Sequence, residues 1–404
     1  MIDDLATVDW GSLTHAYGSA EDIPDQLRAL ASADPSTRAR AHEELDSRVC
    51  HQGSRFEASE HVAPFLVDLA GDPTTPDRPS VLRLLAALAI GFDRWWLPAT
   101  YPVAEVRRDV GRKAGLTVEG LQRELDDWVA GAPTGRIRAA RAADAETREV
   151  TEERDAETWA LAAYDAVRRG VGVYREALDC GDPEVRLWAA YLLGWFPEER
   201  GASLPPLVRR LEVEPDPSVA ATAAIATGLV APAADAAAWR ALVGRLRAQQ
   251  HVERWAAAIA LARMHQLLDH GVVEALYRCV RHAEPLLVHR VPYLEGDLPG
   301  LAALALADME AAAAPERLDV LADRLGGWPA SRPADAMVSA LLMAAFPDGF
   351  APEGAFEELT PGQRKAVRAL ATAPGIWAYY DIRVLVGEYG LPDDEQSLRA
   401  YAGA

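Results

Sequence analysis

The sequence is poor in cysteine and in long apolar runs. Its three cysteines, Cys50, Cys180 and Cys279, lie far apart and form no CxxC pair. This spacing excludes a zinc ribbon or a disulfide framework and is typical of buried free thiols in a reducing compartment. The N-terminal stretch MIDDLATVDW is acidic, and no apolar run reaches the ~18 residues that a spanning helix needs. We therefore predict a soluble, cytoplasmic protein.

Positive charge is also scarce, and it comes almost entirely from arginine. Lys113 and Lys365 are the only lysines, and 41 basic residues stand against 61 acidic ones, which gives a formal net charge of −20. The most basic stretch, residues 105–154, still has 10 basic and 11 acidic side chains. Because such a surface repels polyanions, we expect no binding to nucleic acid or to an anionic membrane.

Motifs for nucleotide, metal and cofactor chemistry are missing. The chain has no GxxxxGK[ST] loop, no HExxH pair and no GxGxxG between a strand and a helix. We therefore expect no cofactor and no metal, and the sequence does not indicate an enzyme.

What the sequence does contain is a repeating helical pattern. In DPEVRLWAAYLLGWF, which begins at Asp182, an Asp-Pro pair suited to a helix start precedes apolar residues on one helical stripe. The same layout returns 34 residues later as DPSVAATAAIATGL at Asp216, and more loosely as QQHVERWAAAIALARM at Gln249. Shorter apolar helices separate the copies. Each unit is therefore a helix–turn–helix that must stack on its neighbours to bury its apolar face.

This pattern of Asp-Pro, a β-branched residue, Arg186, paired alanines and Leu-Leu-Gly resembles the second helix of a HEAT repeat. DPSTRARAHEEL at Asp34 has the same layout, and degenerate copies follow at 298–309, 334–346 and 359–371. The resemblance implies an all-α fold, a right-handed α–α superhelix of the HEAT-like (armadillo-like) solenoid type. The opening, the segment HQG…APFL and the ending GLPDDEQSLRAY also resemble a recurring group of bacterial HEAT-repeat proteins, which brings no activity with it.

Two HEAT-like families with a known chemistry do not fit. Deoxyhypusine hydroxylases hold two irons with several His-Glu dipeptides, and His42-Glu43 is the only such dipeptide in this chain. Alkylpurine DNA glycosylases bind DNA on a basic concave face, which a net charge of −20 disfavours.

Three segments are expected along the chain. Residues 1–94 form N-terminal HEAT-like helical pairs, 95–157 an aromatic loop with a charged helical insertion, and 158–404 a C-terminal HEAT-like array; together they make one continuous solenoid. Residues 104–170 are predicted to form about three charged helices, the last of which has a solvated first half. Insertions of this kind often carry the binding function of a solenoid.

The segment CHQGSRFEASEHVAPFL, residues 50–66, lies between two helical patterns. His51 and His61 lie within it, and two further histidines, His15 and His42, precede it. Metal binding usually needs i, i+4 spacing on a helix, which these histidines lack. We predict an elbow between two helices, in which His51 and Gln52 close the first helix at Gly53. A site for a polar ligand or partner at His51 and Arg55 is the first alternative, and a metal site is the second.

The loop GFDRWWLPATYP, residues 91–102, places Trp95, Trp96 and Tyr101 between prolines. Adjacent residues cannot both face one core, so one tryptophan is expected to be exposed or to cover the insertion. Core packing and a binding surface are equally supported, because exposed Trp and Tyr are enriched at binding hot spots. The loop HRVPYLEGDLP, 289–299, carries Arg290 and Tyr293 and is either structural or a site for Arg–carboxylate recognition.

The predicted function is a non-catalytic protein-interaction scaffold or regulator. It would bind a protein partner, one with a basic surface, on an acidic concave face. The predicted binding residues are Trp95, Trp96, Tyr101, His51, Arg55, Arg290 and Tyr293. The alternative is an enzyme or small-molecule-binding protein with a pocket between the solenoid and the 91–102 loop. In that case acid–base chemistry would fall to His51, Asp93 or His61, and a deep pocket that encloses several of these with Trp95 or Trp96 would favour it.

Overall fold

The computed structural model describes residues 2–264, 270–282, 291–328, 334–373 and 375–404, apart from the side chains of Ile2, Asp3 and Tyr380. A hairpin of β1 (Thr14–His15) and β2 (Gly18–Ser19) is the only sheet in these ranges. The helices are α1 (Ile23–Ala29), α2 (Pro35–Val49), α3 (Glu57–Gly71), α4 (Arg78–Ile90), α5 (Val103–Lys113), α6 (Val118–Ala130), α7 (Gly135–Ala145), α8 (Val150–Arg168), α9 (Val171–Ala177), α10 (Pro183–Leu193), α11 (Arg200–Val213), α12 (Pro217–Val230), α13 (Ala236–Arg245), α14 (His251–Arg263), α15 (His270–Arg281), α16 (Leu298–Asp308), α17 (Arg317–Gly326), α18 (Asp335–Ala345), α19 (Pro361–Thr372), α20 (Tyr380–Glu388) and α21 (Glu395–Ala402).

The predicted all-α fold class is confirmed. The helices start where the sequence places their caps: the side chains of Asp34, Asp182 and Asp216 each accept a hydrogen bond from a backbone N–H in the first turn of α2, α10 and α12. Within the described ranges, no helix is both long enough and apolar enough to cross a membrane.

The described residues form two compact units. The first consists of those within Met1–Gly115, Thr151–Ala260 and Val288–Tyr293. In this unit α1 packs on α2, α3 on α4, α9 on α10 and α11 on α12, and each pair stacks on the next. The stacking continues across the insertion, because α4 packs on α10 and α3 packs on α9. The repeat therefore resumes after the insertion with its helices in the same order.

Small residues let neighbouring helices of this unit approach closely. A Cβ built on Gly194 would lie 3.1 Å from Cα of Ala226, and one on Gly228 would lie 2.7 Å from Cα of Ala260. The two contacts are the same position of consecutive repeats. A side chain at either glycine would push the helices apart, so glycine is required there.

An arginine near the start of a repeat helix forms the same hydrogen bonds in three repeats. Nη1 of Arg38, Arg186 and Arg254 each donates to the two carbonyl oxygens found six and five residues earlier, over 2.6–3.1 Å. These carbonyls belong to the turn that leads into the helix, so the guanidinium satisfies backbone groups that no helix partner reaches. The arginine of the Asp-Pro motif is thus a structural residue.

Glu214 connects two consecutive repeats of this unit. Its buried carboxylate accepts hydrogen bonds from Nε and Nη2 of Arg186 at 2.9 and 2.8 Å and pairs with Nε of Arg210 at 3.1 Å. It also accepts from the backbone N–H of Asp216 at 3.0 Å, the residue that caps α12. Burial by itself would raise the pKa of Glu214, but the two guanidinium groups hold it below its ordinary value. Glu214 is therefore ionised at neutral pH and binds α10, α11 and α12 together.

The second unit consists of the described residues within Leu116–Val150, Leu261–Leu287 and Leu294–Ala404. Here α15 packs on α16, α17 on α18 and α19 on α21, while α16 stacks on α18 and α17 on α19. Two helices of the insertion belong to this unit: α6 packs on α7, and α7 packs on α20. Arg364 of α19 makes a related contact, because its Nη1 donates to the carbonyls seven and five residues earlier, Glu357 and Leu359, both at 2.8 Å.

The insertion differs from its prediction in two ways. Four helices, α5 to α8, occupy the stretch for which about three were expected. The first half of α8, predicted to be solvated, is mostly half-buried, and its Glu157 pairs with Lys113 of α5. The boundaries predicted at 94/95 and 157/158 stay a prediction.

Candidate functional site

The elbow, defined here as residues 50–56, joins α2 to α3 in the first unit. A single turn, His51–Gly53, follows α2, with Gln52 at φ 51° and Gly53 at φ 81°. Ser59 fixes the turn: its hydroxyl donates to the carbonyl of Val49 at 2.7 Å and accepts from the N–H of Phe56 at 2.8 Å. The predicted elbow with a turn at Gly53 is confirmed.

The aromatic loop, residues 91–102, lies directly against the elbow. Trp95 is 49% exposed, and a Cβ built on Gly53 would collide with its ring and lie 2.8 Å from Phe92. Trp96 is half-buried, and its Nε1 donates to the carbonyl of Ile90 at 2.8 Å. The expectation that one of the two tryptophans is exposed is confirmed. The left-handed turn and the missing side chain at Gly53 are what allow the two segments to touch.

Aromatic rings anchor the loop to the helices behind it. The rings of Trp96 and Tyr101 meet edge to face at 4.8 Å, and Tyr101 stacks on Tyr164 of α8 at 4.7 Å. Tyr164 in turn lies 5.2 Å from Phe196, which follows α10. Such contacts add to the stability that burial of the rings provides, so the loop has a fixed position.

A cavity of about 330 Å³, called here the elbow pocket, opens between these segments. The elbow and the aromatic loop form one wall, and α5 and α8 form the other. The lining residues are Gly53, Ser54, Arg55, Trp95, Trp96, Tyr101, Val106, Asp109, Val110, Lys113, Ala156, Glu157 and Ala160. Four of the predicted binding residues, Arg55, Trp95, Trp96 and Tyr101, therefore meet in one place.

Arg55 is the unusual residue of this pocket. It is only 5% exposed, yet it forms no ion pair within the described chain. Its Nη1 donates to the carbonyl of Gly53, while its Nε has no acceptor. Burial lowers the pKa of the guanidinium from its ordinary value, because water no longer stabilises the charge. Gly91, at φ 66°, makes room for this side chain, since a Cβ there would collide with Nη1 of Arg55.

The charged side chains on the opposite wall have partners of opposite sign, one pair close and one loose. Nζ of Lys113 lies 2.6 and 2.7 Å from the two carboxylate oxygens of Glu157. Asp109 pairs more loosely with Arg112, at 3.7 Å. Of the four side chains in the lining that are charged at neutral pH, Arg55 is thus the one whose charge is not met by an ion pair in the described chain.

A further ion-pair network holds α5 against α8. Nη1 of Arg107 donates to Asp165 at 2.6 Å, and Nε of Arg168 donates to the same carboxylate at 3.3 Å. Burial would raise the pKa of Asp165, but these two arginines lower it below its ordinary value. The hydroxyl of Tyr164 donates to the neighbouring Glu198 at 2.6 Å, so the network also fixes the tyrosine on which Tyr101 stacks.

We expect Asp165→Asn to lower the free energy of unfolding by about 2 kcal/mol at pH 7, since it removes charge-assisted hydrogen bonds. Because the folded-state pKa is depressed, this stability is present above the unfolded pKa of about 3.9 and is lost as the pH falls through the folded value. Urea unfolding of both proteins from pH 7 to pH 3 measures the difference, which should shrink with acid. The control is Asp25→Asn, which breaks an exposed pair with Arg28 and should change little. A difference that stays constant with pH would contradict the ionic role.

The residues predicted for acid–base chemistry do not meet. Nδ1 of His51 lies 3.3 Å from the hydroxyl of Tyr17, His61 pairs with Glu60 at 3.7 Å, and Asp93 accepts from Tyr191 at 3.1 Å. No described contact joins any two of His51, His61 and Asp93, and none of them lines the elbow pocket.

The other two predicted histidines are equally separate. Nε2 of His15 bonds to Asp22 at 3.1 Å, and His42 is buried in α2, where burial lowers its pKa. The described residues contain no group of three or more His, Cys, Asp or Glu side chains arranged to hold a metal ion.

The remaining predicted binding residues lie elsewhere. Tyr293 is fully buried in the first unit, with its ring 4.7 Å from Tyr191 and 6.1 Å from Trp195. Arg290 lies outside the described residues.

The second pocket wall has no direct signal in the sequence. Lys113 and Glu157 are 44 residues apart, and nothing in their local pattern pairs them. Lysine is rare in the sequence, and glycine occurs at positions 53 and 91, but neither feature specifies a contact. Gly91 and Ser59 were likewise not singled out.

Fold and site together define an all-helical protein of stacked helix pairs with a pocket at one inter-helix elbow. A family model described as HEAT repeats matches residues 171–262, which run from α9 almost to the end of α14. No curated protein matches the chain. An engineered protein of known crystal structure is 18% identical, with 95% of this chain and 97% of that chain covered, at a TM-score of 0.27. So low a score carries no argument about either fold or function.

Proposed function

We propose that the protein is a non-catalytic interaction protein of the HEAT-repeat type. It binds a protein partner by holding one group of that partner in the elbow pocket. The observation that carries this proposal is the convergence of Arg55, Trp95, Trp96 and Tyr101, from two separate segments, on one cavity. Aromatic residues and arginine are the residue types most often found at the energetic centre of an interface.

Binding is favoured over catalysis by the groups that line the pocket. Lys113 and Glu157 are paired, and an arginine does not exchange its proton near neutral pH. The residues predicted for acid–base chemistry, His51, His61 and Asp93, lie outside the lining. Asp109 is a carboxylate in the lining without a close ion pair, and it has no histidine beside it there, so the arrangement supports recognition of a ligand more than proton transfer.

A small molecule is the second candidate occupant. The cavity of about 330 Å³ falls in the range of small-ligand pockets, roughly 300–1,000 Å³. One exposed tryptophan at its edge and a buried polar group inside it are features of such pockets as well as of protein anchor sites.

The wider surface is assigned a supporting role. The net charge of −20 would attract a partner with a basic surface, although salt screens such attraction beyond roughly 8 Å. We place the protein in the cytoplasm of a bacterial cell, where the three described free cysteines, of which Cys50 and Cys279 are buried, would stay reduced. The inserted segment, predicted at 95–157, would supply most of the lining of the binding pocket.

The proposal is tested by affinity capture from an extract of the native cells with three full-length baits. We expect a partner that wild type and Trp239→Ala recover equally and that Trp95→Ala loses by tenfold or more. Trp239 is the matched control because it is also a partly exposed tryptophan, 37% against 49% for Trp95, and does not line the pocket. Equal recovery by all three baits would show that the elbow pocket is not the binding site.

A further inference from the structure

We infer that the elbow pocket recognises a singly charged carboxylate carried on an apolar, preferably aromatic, body. The inference rests on the proposed function, in that it assumes that this pocket binds a ligand, and it specifies the chemistry of the group that is bound. Two sources supply this chemistry: a free aromatic acid and the C-terminal end of a peptide chain.

The unsatisfied guanidinium of Arg55 requires an anion. A buried cation is costly unless it is paired and hydrogen-bonded, and among the residues that the structure describes Arg55 has a single acceptor, the carbonyl of Gly53. Its Nε lacks an acceptor although buried polar groups are nearly always hydrogen-bonded. A carboxylate has two oxygens that match the forked donors of a guanidinium. A ligand that carries one would give the charge of Arg55 the counter-ion that it lacks in the described chain.

The opposite wall limits the charge of the ligand to one. Asp109 and Glu157 line the same cavity as Arg55. Glu157 is neutralised by Lys113, and Asp109 is only partly compensated by Arg112 at 3.7 Å. A single negative charge on the ligand balances Arg55, whereas the second charge of a phosphate dianion would face these carboxylates without a free cation in the lining. Like charges in a partly buried site repel strongly.

The rest of the lining requires an apolar body. Trp95, Trp96 and Tyr101 form one side, and the small or branched side chains of Val106, Val110, Ala156 and Ala160 form the other. A flat ring fits between aromatic faces and small side chains, and its burial releases water from both. The half-exposed Trp95 marks the edge at which the ligand, or the chain that bears it, leaves the pocket.

The test compares an acid with its neutral analogue. The probes are 3-phenylpropionate and 3-phenylpropanamide, titrated into the full-length chain at pH 7 and followed by ligand-detected NMR, which measures millimolar dissociation constants. We expect the acid to bind at least tenfold tighter than the amide, and phenyl phosphate to bind more weakly than the acid. Equal affinity of acid and amide, or tightest binding of phenyl phosphate, would overturn the inference. These arms use wild type alone, so they are decisive even if a variant fails to fold.

Two variants assign the effect to Arg55. In Arg55→Gln the acid should bind no better than the amide does. In Arg94→Gln, which removes an exposed arginine of the aromatic loop that lies over Phe92 and not in the lining, the tenfold preference should remain. A preference that survives in Arg55→Gln would overturn the inference.

The source of the carboxylate is distinguished with the tripeptide Gly-Gly-Phe, with a free and an amidated C-terminus. Tighter binding of the free tripeptide than of 3-phenylpropionate supports a chain terminus, and the reverse supports a small acid.

Failure of the inference is separable from failure of the proposed function. If acid and amide bind wild type equally but Trp95→Ala binds neither probe, the pocket binds ligands without selecting anions, and only the inference fails. If neither probe binds wild type and Trp95→Ala captures the partner normally, both proposals fail.

Discussion

Replacing Glu214 by alanine is expected to lower the free energy of unfolding by about 3–5 kcal/mol, the largest effect of any single change considered. The carboxylate is fully buried, and the side chains of Arg186 and Arg210 are only 9% and 15% exposed. Removal of Glu214 therefore leaves two largely buried guanidinium groups without their shared anion. The N–H of Asp216 also loses its acceptor at the start of α12. A buried charge stripped of its partner costs far more than the pair contributed, because its lost hydration is no longer compensated.

The matched control for this change is Glu212→Ala. Glu212 lies in α11 two residues before Glu214, has the same side chain and is exposed. Urea unfolding followed by circular dichroism should show a change within about 0.5 kcal/mol for the control. If the two variants differ by less than 1 kcal/mol, Glu214 does not join the repeats in the way described.

Gly53→Ala is expected to lower the free energy of unfolding by about 3 kcal/mol. Part of the loss, about 1–2 kcal/mol, comes from placing a side chain at φ 81°, in the left-handed region. The remainder, about 1–3 kcal/mol, comes from the overlap of the new Cβ with the rings of Trp95 and Phe92. The variant should also lose affinity for 3-phenylpropionate, because the ring of Trp95 must move.

Gly349→Ala separates the two contributions. Gly349 has nearly the same φ, 82°, but nothing lies within 4 Å of a Cβ built there. We expect this variant to lose only the backbone part, about 1–2 kcal/mol, and to bind the probe normally. Equal losses of stability with normal binding in both variants would contradict the packing of the aromatic loop on the elbow.

Local features of the fold could be predicted because their signals are local. The caps at Asp34, Asp182 and Asp216 and the turn at Gly53 each depend on a few neighbouring residues and on helical periodicity. The number of helices in the insertion was wrong, although Thr117 and Thr134 cap α6 and α7 and offered a usable signal. The helix α7 is mostly polar and its apolar periodicity is weak, although α6 has a clear apolar stripe of Val118, Leu121 and Leu125.

The candidate site was predictable only in part. Arg55 and the two tryptophans were singled out by residue type, but their meeting depends on a contact between segments about forty residues apart. Lys113 and Glu157 complete the pocket across a still longer loop, and a single sequence contains no information on such pairs. His51 and Tyr293 had equally suggestive chemistry, yet the fold places one against Tyr17 and the other inside the core.

The most direct measurement of the binding role is a crystal structure of the full-length chain grown with 3-phenylpropionate. We expect the phenyl ring between Trp95 and the small side chains of α8, with the carboxylate within 3.5 Å of the guanidinium of Arg55, roughly the upper limit of a hydrogen bond. Arg55 should then be paired with an anion. A pocket that stays empty at saturating probe, or a ligand whose carboxylate points away from Arg55, would contradict the assignment of this pocket as the binding site.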